Sequence, residues 1–483
     1  MRQQGKYEQG FTVRKRWRRK SDFSTYIIEK GRVFMKVAFH TLGCKVNQYE
    51  TEALCLRFRD RGYEIVGETE FADIYVINTC TVTGLADRKS RQYIRRMKKL
   101  NPQSVVAVTG CYAQIDPEGV EHVAGVDIVA GTNEKGNLLT YIEEFLEQRK
   151  PQTHVLPYEE LRTYEENGLV IVTESRTRAF IKIQEGCDRF CSYCVIPYAR
   201  GSVRSRAPED VVAEARGLLD QGFKELVLTG INTALYGTEE GFSKEENGLL
   251  GIAIILDKLQ RLEGDFRVRL SSLEPAVVDK DYVRQLLGYE KLCHHLHLSA
   301  QSGSDRILRA MNRPYSREDY LAIIQVLREF DPQYAVTTDL IAGFPGETEA
   351  DFQDSLRLIQ EAGFSKVHGF KYSQRPLTKA ASMKGQIPAP VKKARNQQLM
   401  EEGERTALAF FQENQGSVRR VLLEEYQDQT GEGGYLTGFT DNYIRVYIPA
   451  EKEKAKHLAN SFRFVKLGEP FQEGVKGLFI EKP

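Results

Sequence analysis

Cys187, Cys191 and Cys194 lie within the run Cys187-Asp188-Arg189-Phe190-Cys191-Ser192-Tyr193-Cys194, a C-x3-C-x2-C spacing. The run follows an apolar stretch, Phe180–Ile183, that reads as a strand. Three thiolates in this pattern hold three irons of a four-iron cluster and leave the fourth iron open to another ligand. A structural zinc site would need four closed ligands, and no fourth Cys or His is nearby in the sequence. Three of the eight cysteines of the chain packed into eight residues are poorly explained by chance.

A second set is dispersed. Cys44, Cys80 and Cys111 each end a β-rich run: His40-Thr41-Leu42-Gly43-Cys44, Ile77-Asn78-Thr79-Cys80 and Val108-Thr109-Gly110-Cys111. In an open parallel sheet the carboxyl ends of the strands share one edge, so three such loops can converge. Their thiolates again propose a cluster with one open iron. The competing reading is three unrelated small buried residues.

The elements that must position these residues form three zones, an α/β chain ending in a small all-β unit. From residue 35 to 150, strands at Lys36–Thr41, Ala72–Asn78, Ser104–Thr109 and Val126–Ala130 alternate with helices at about 47–61 and 84–100, predicting a largely parallel open sheet. Residues 151–175 read as a linker with an edge hairpin. From 176 to 405, strands at Phe180–Ile183, Glu225–Leu228, Arg267–Leu270, His295–Ser299, Ala335–Ile341 and Lys366–Tyr372 give about six βα units. That is too few for a closed eight-fold barrel, so a partial one is expected. Over 412–481 the helix period disappears; Val418–Glu424, Leu436–Phe439 and Tyr443–Ile448, with Gly-rich turns, predict a small β-barrel.

With 41% hydrophobic and 28% charged residues in 483, the composition is that of an ordinary globular protein of two or three domains. No apolar run has the length of a membrane span. Eight cysteines are too few for a disulfide scaffold and read as reduced thiols in a cytosol-like compartment. The net charge of +1 hides a split: residues 1–34 carry ten Lys/Arg against three acids, and the rest 58 against 64. The run Arg14–Lys20 resembles a nucleic-acid arm. The stronger expectation is that translation starts at Met35, because Gly31-Arg32 can be encoded as a ribosome-binding sequence. Residues 1–34 are then a basic extension, disordered or foreign to the natural protein.

The C-x3-C-x2-C loop at the head of a partial barrel resembles the radical S-adenosylmethionine (SAM) superfamily. The resemblance implies that the open iron chelates SAM and that the reduced cluster cleaves it to a 5′-deoxyadenosyl radical. It also implies SAM contacts at Thr229, Gly230 and Asn232, where Leu228–Asn232 stands in place of the usual GGE form. Further contacts are implied at Ser271 and Ser272, and at Gly343 within Thr338–Gly346. The two cysteine triads together resemble the methylthiotransferase family from Met35 to the C-terminus. That family implies a radical SAM [4Fe-4S] cluster at Cys187, Cys191 and Cys194 and an auxiliary [4Fe-4S] cluster at Cys44, Cys80 and Cys111. It implies two uses of SAM, as methyl donor and as radical source. It also implies a C-terminal RNA-binding TRAM barrel, with Gly438–Tyr443 as its signature turn and RNA contacts at Thr440, Asn442 and Tyr443. Its partners would be a tRNA anticodon stem-loop, an electron donor of flavodoxin or ferredoxin type and a sulfur source, in the cytoplasm and without a membrane.

The run Gly43-Cys44-Lys45-Val46-Asn47 and the segment Phe180–Cys187 resemble the branch that acts on threonylcarbamoyladenosine at tRNA position 37. Branches acting on isopentenyladenosine or on a ribosomal-protein aspartate usually carry GCQMN-type or GCPKN-type runs; both remain alternatives, as does a non-catalytic RNA-binding iron–sulfur sensor. Arg88, Lys89 and Arg91 belong to a basic helix after Cys80 that reads equally as a phosphate contact or a solvated face. Cys293-His294-His295-Leu296-His297 has alternating histidines without a four-ligand set, so a zinc site is not expected. Cys55 reads as core.

Overall fold

The computed structural model describes residues 28–29, 32–33, 35–165, 177–242, 249, 251–429 and 433–481. The expectations for most of residues 1–34 and for residues 166–176 therefore lie outside the described residues.

The first zone is a six-stranded sheet of parallel pairs, in spatial order Glu64–Val66, Lys36–Thr41, Ile74–Thr79, Val105–Gly110, Ile128–Ala130 and Gln152–His154. The two central strands are buried along their whole length, as expected of strands covered by helices on both faces. The first helix runs over Lys45–Arg61 with Cys44 as its N-cap, two residues earlier than the periodicity predicts. Gln152–His154, within the segment expected to hold an edge hairpin, is a parallel edge strand. The short strand Glu64–Val66, absent from the sequence reading, closes the other edge.

The second zone is an open barrel in two curved sheets. One orders Arg267–Leu270, Glu225–Thr229 and Arg178–Lys182; the other orders Ser272–Leu273, His295–Leu298, Ala335–Ala342 and Lys366–Lys371. A bridge between Val268 and Leu292 joins them. The six principal strands lie within two residues of their predicted bounds. Their outward side chains and the surrounding helices share one large apolar core, whereas the inward positions are mostly polar: Glu225, Arg269, His295, His297, Thr337 and Asp339.

The long helix Ala389–Glu413 leads to a closed five-stranded barrel in the order Val418–Gln429, Gly433–Thr440, Arg445–Ala450, Gly474–Phe479 and Phe462–Phe471. This barrel docks on the amino-terminal ends of the open barrel's strands. Arg267 donates to the carbonyl of Phe439 (3.1 Å), and Arg269 donates to those of Thr440 and Asp441 (3.4 Å each). Both arginines are anchored by the buried Glu225. Among the described residues no helix is long and apolar enough to cross a membrane.

His295 is enclosed at this seam, its Nε2 3.1 Å from Thr337 Oγ1 and its ring 4.7 Å from that of Tyr443. Burial, reinforced by Arg269, His297 and Lys45, holds its pKa well below the ordinary histidine value. The imidazole is thus neutral in the fold but takes a proton near pH 6.5 in the unfolded chain. Its contribution to stability is full above about pH 6.5 and falls as the pH drops below it. Calorimetry across that range should show Tm falling with acid, with a shallower slope in His295→Gln.

Candidate iron–sulfur and nucleoside site

Both cysteine triads converge. Within each set, Cys44 with Cys80 and Cys111, and Cys187 with Cys191 and Cys194, the sulfurs are close enough that their thiolate forms would repel. Burial, the larger cause, and this repulsion push Cys80 and Cys194 up to about 12 and Cys187 up to about 11. As bare thiols Cys80, Cys187 and Cys194 stay protonated; a bound metal takes cysteines as thiolates and releases their protons. Backbone N–H groups meet the sulfurs, from Val82 to Cys80, Arg189 to Cys187 and Ile196 to Cys194. Among the described residues no three Cys, His, Asp or Glu side chains close on a point as ligands of a single ion must. Three thiols gathered at each site, in the residue pattern described above, fit an iron–sulfur cluster with one open iron. Cys44 is exposed although protein surrounds it, which puts it on the wall of a cleft.

Glycines set three of these loops. Gly43, Gly110 and Gly186 each precede a cysteine of the two triads and each has positive φ, at 112°, 96° and 75°. A Cβ on Gly186 would lie 1.8 Å from the carbonyl oxygen of Ser202, and one on Gly110 would lie 2.4 Å from that of Thr79. Only glycine tolerates both the φ and the close approach. The Gly-Cys dipeptide was visible in the sequence as a signal, but its meaning needed the neighbouring backbone. The radical SAM loop is further held by Cys187 N–H on the Gly201 carbonyl (3.0 Å) and Ser192 N–H on that of Met311 (3.0 Å).

The short helix Ile196–Arg200 after Cys194 ties one triad to the other: Arg200 Nε donates to Cys111 Sγ at 3.1 Å. Arg200 lies six positions after Cys194, which limits their Cα separation to about 20 Å. Arg200 is fully buried and also donates to Glu50 (2.6 Å), Glu185 (3.1 Å) and Asn47. Lys182 joins Glu50 at 2.9 Å and also pairs with Glu185, while Lys135 reaches Glu50. Burial alone would raise the Glu50 carboxyl, but Arg200, Lys135 and Lys182 hold it well below the usual carboxylate range. A second arm reaches the Cys80 loop from the end of the last barrel strand: Arg375 pairs with Asp87 (2.7 Å), and Ser373 Oγ accepts from Gly84 N–H (3.2 Å). The Cys44–Cys80–Cys111 site thus sits over the carboxyl-terminal mouth of the barrel.

Of the expected SAM-side residues, Asn232 lies beside the Cys187 thiol and donates to Glu274 (2.6 Å), and its N–H donates to Gln184. Thr229 and Ser271 are buried at their strand ends, Gly230 packs on Gln184, and Ser272 is exposed. Gly343 is buried, with its N–H donated to Glu347 and with Lys392 against it. Sequence reasoning missed Glu274, which receives Arg189, Asn232 and Arg313 beside the Cys187 loop. The Glu-Pro pair closing the third strand was its one sequence signal.

The expected RNA residues divide. Arg88 and Lys89 are exposed, and Arg91 donates to the Tyr112 hydroxyl at 2.7 Å. Thr440 and Asn442 are fully buried: Thr440 Oγ1 donates to Asn442 Oδ1, and Asn442 donates to the Gln333 carbonyl and to Asn414. Tyr443 stacks on Phe439, with the Arg269 guanidinium 4.3 Å from its ring centroid. In this arrangement these three residues join the two barrels and leave Thr440 and Asn442 no surface for RNA. The sequence pattern could not show this, because it carries the turn but not what docks on it.

Residues 36–131 match the model of the uncharacterized protein family UPF0004, and residues 181–359 match that of the radical SAM superfamily. The threonylcarbamoyladenosine tRNA methylthiotransferase MtaB of Bacillus subtilis (strain 168) is 42% identical over 439 residues, 91% of this chain and 95% of that protein. The MtaB of Aquifex aeolicus (strain VF5) is 40% identical over 87% of this chain and 98% of that protein. The tRNA-2-methylthio-N(6)-dimethylallyladenosine synthase of Mycolicibacterium gilvum (strain PYR-GCK) is 39% identical over 81% and 76%. Among solved structures, the radical SAM methyltransferase TsrM from Kitasatospora setae, with cobalamin and a [4Fe-4S] cluster bound, aligns over 72% of this chain and 74% of its own at 15% identity and a TM-score of 0.52, a likeness of fold. With two converging thiol triads over one barrel mouth and matches of this extent, the chain belongs to the methylthiotransferase family of radical SAM enzymes.

Proposed function

We propose that the protein adds a methylthio group to C2 of N6-threonylcarbamoyladenosine at position 37 of tRNA, beside the anticodon. One observation carries the reading: two thiol triads face the carboxyl-terminal mouth of one barrel and are joined through Arg200. In it, Cys187, Cys191 and Cys194 hold the radical SAM cluster, and Cys44, Cys80 and Cys111 the auxiliary one. The clusters with SAM supply a carbon-centred radical and the sulfur. The chain's part is positioning. Asn232, Gln184 and Glu274 set the Cys187 side; Arg200 and Arg375 hold the Cys111 and Cys80 loops above it; and the cleft wall at Cys44 leaves room for an extruded base. The exposed Arg88 and Lys89, with Arg95, Arg96 and Lys99 on the same helix, offer phosphate contacts beside the Cys80 loop. The functional units are residues 35–150, 176–405 and 412–481. A flavodoxin-type or ferredoxin-type electron donor and a sulfur source complete the partners, in the cytoplasm.

Two measurements test this. Nucleosides from the tRNA of a gene-deleted strain should lose 2-methylthio-N6-threonylcarbamoyladenosine and accumulate its unthiolated precursor; loss of the isopentenyl derivative instead would move the assignment to that branch. Anaerobic reconstitution should give about eight irons by Mössbauer spectroscopy, falling to about four in Cys187→Ala/Cys191→Ala/Cys194→Ala. Four irons in the wild type and none in the variant would end the two-cluster reading.

A further inference from the structure

Lys45, the residue after Cys44, opens the first helix and is exposed on the cleft wall. Its ammonium lies 5.8 Å from the ring centroid of Phe180 on the barrel's first strand and within electrostatic reach of Tyr443, Arg269, Arg178, His295 and His368 and, farther than ion-pair distance, of the Glu225 carboxylate. The other cations of the inner wall are paired: Arg178 with Glu424, Lys182 with Glu50, Arg267 and Arg269 with Glu225, and His297 with Asp339. Lys45 alone among these has no carboxylate within 4.0 Å among the described residues. An unpaired ammonium in a partly dry wall gains more from an arriving anion than any of its neighbours would.

The position of Lys45 selects the anion. A phosphate backbone stays at the mouth, whereas an extruded base carries its substituent inward. On a purine, C2 and N6 flank N1 on one edge, so a base presenting C2 to a sulfur donor held by Cys44 brings its N6 substituent close to the same loop. A threonylcarbamoyl group ends in a carboxylate. We propose that Lys45 receives this carboxylate and selects for an anionic N6 substituent; the proposal rests on the substrate reading above. Lys45 is a specificity-determining contact, with no part in bond making.

The test uses the reconstituted holoprotein with two anticodon stem-loop RNAs, one carrying N6-threonylcarbamoyladenosine and one plain adenosine at the target position. Wild type should bind the first more tightly by about 10- to 100-fold, the range of a charge-assisted hydrogen bond. Lys45→Met should lose that preference with its iron content and its affinity for the plain RNA unchanged, and Lys45→Arg should keep it. A Lys45→Met protein that retains the preference overturns the assignment. So does one that loses iron and binds both RNAs equally poorly, which would make Lys45 a support for the Cys44 loop. So does one whose only defect is in SAM affinity, which would make the cofactor's carboxylate the ligand. A wild type with no preference at all removes the substrate reading itself, so the two failures are distinguishable.

Discussion

Glu50→Gln is expected to loosen the joint between the two cysteine-bearing domains and to lower the unfolding temperature by about 10 °C. One carboxylate, 2% exposed, serves Lys135 on its own side of the interface and Lys182 and Arg200 on the other. Removing one member of a buried ion network strands the others without compensation and costs about 3–5 kcal/mol, which in a domain of this size moves Tm by several degrees per pair of kcal/mol. Because the Glu50 carboxyl is held below its usual range, its contribution is full above about pH 4.5 and is lost as the pH falls through the folded value. The difference between variant and wild type should therefore shrink in acid. Calorimetry and limited proteolysis at the domain joint check both statements. A variant as stable as wild type at neutral pH would mean that the network is not holding the domains together.

Alanine at Gly186 and alanine at Gly110 should separate the two metal sites. At Gly186 the new methyl collides with the backbone of Gly201 and Ser202, and the loop cannot step aside without breaking the Cys187 N–H bond to Gly201. Positive φ adds to the strain of overpacking, about 1–3 kcal/mol before any loss of metal. Gly186→Ala should fall from about eight irons to about four and lose SAM cleavage. In Gly110→Ala the methyl meets the backbone of Thr79 and Asn78 Oδ1, pressing the Cys80 and Cys111 loops apart. That variant should also fall to about four irons but keep the cleavage of SAM to 5′-deoxyadenosine. Equal loss of both clusters in either variant would show that the triads assemble as one unit.

The cysteine-bearing strands were legible because their cues are local: short β-branched runs ending in Gly-Cys or Thr-Cys, and alternation in the barrel strands. The joint was not. Nothing local in the sequence marks Glu50, Lys182 and Arg200 as a set, and their pairing across 132 and 150 residues, at Glu50–Lys182 and Glu50–Arg200, exists only once two domains have docked. The last two strands of the C-terminal barrel escaped for a different reason. Phe462–Phe471 is interrupted at Gly468-Glu469-Pro470, where the register shifts between Leu467 and Pro470, and the alternation is lost. Thr440, Asn442 and Tyr443 carried the family's turn, but the partner that buries them lies far away in the chain, so a binding surface was expected where the structure has a seam.

That seam covers the strand-start end of the barrel with the C-terminal barrel. The Phe439–Tyr443 turn is stacked and hydrogen-bonded across the strand starts, so RNA, cofactor and products are expected to come and go at the opposite end. An RNA loop seated there is expected to obstruct that end, so that cofactor binds before it and spent fragments leave after it. Turnover then obeys a queue, with nucleic acid last in and first out, and excess RNA should slow the enzyme by occupying that end of an empty barrel.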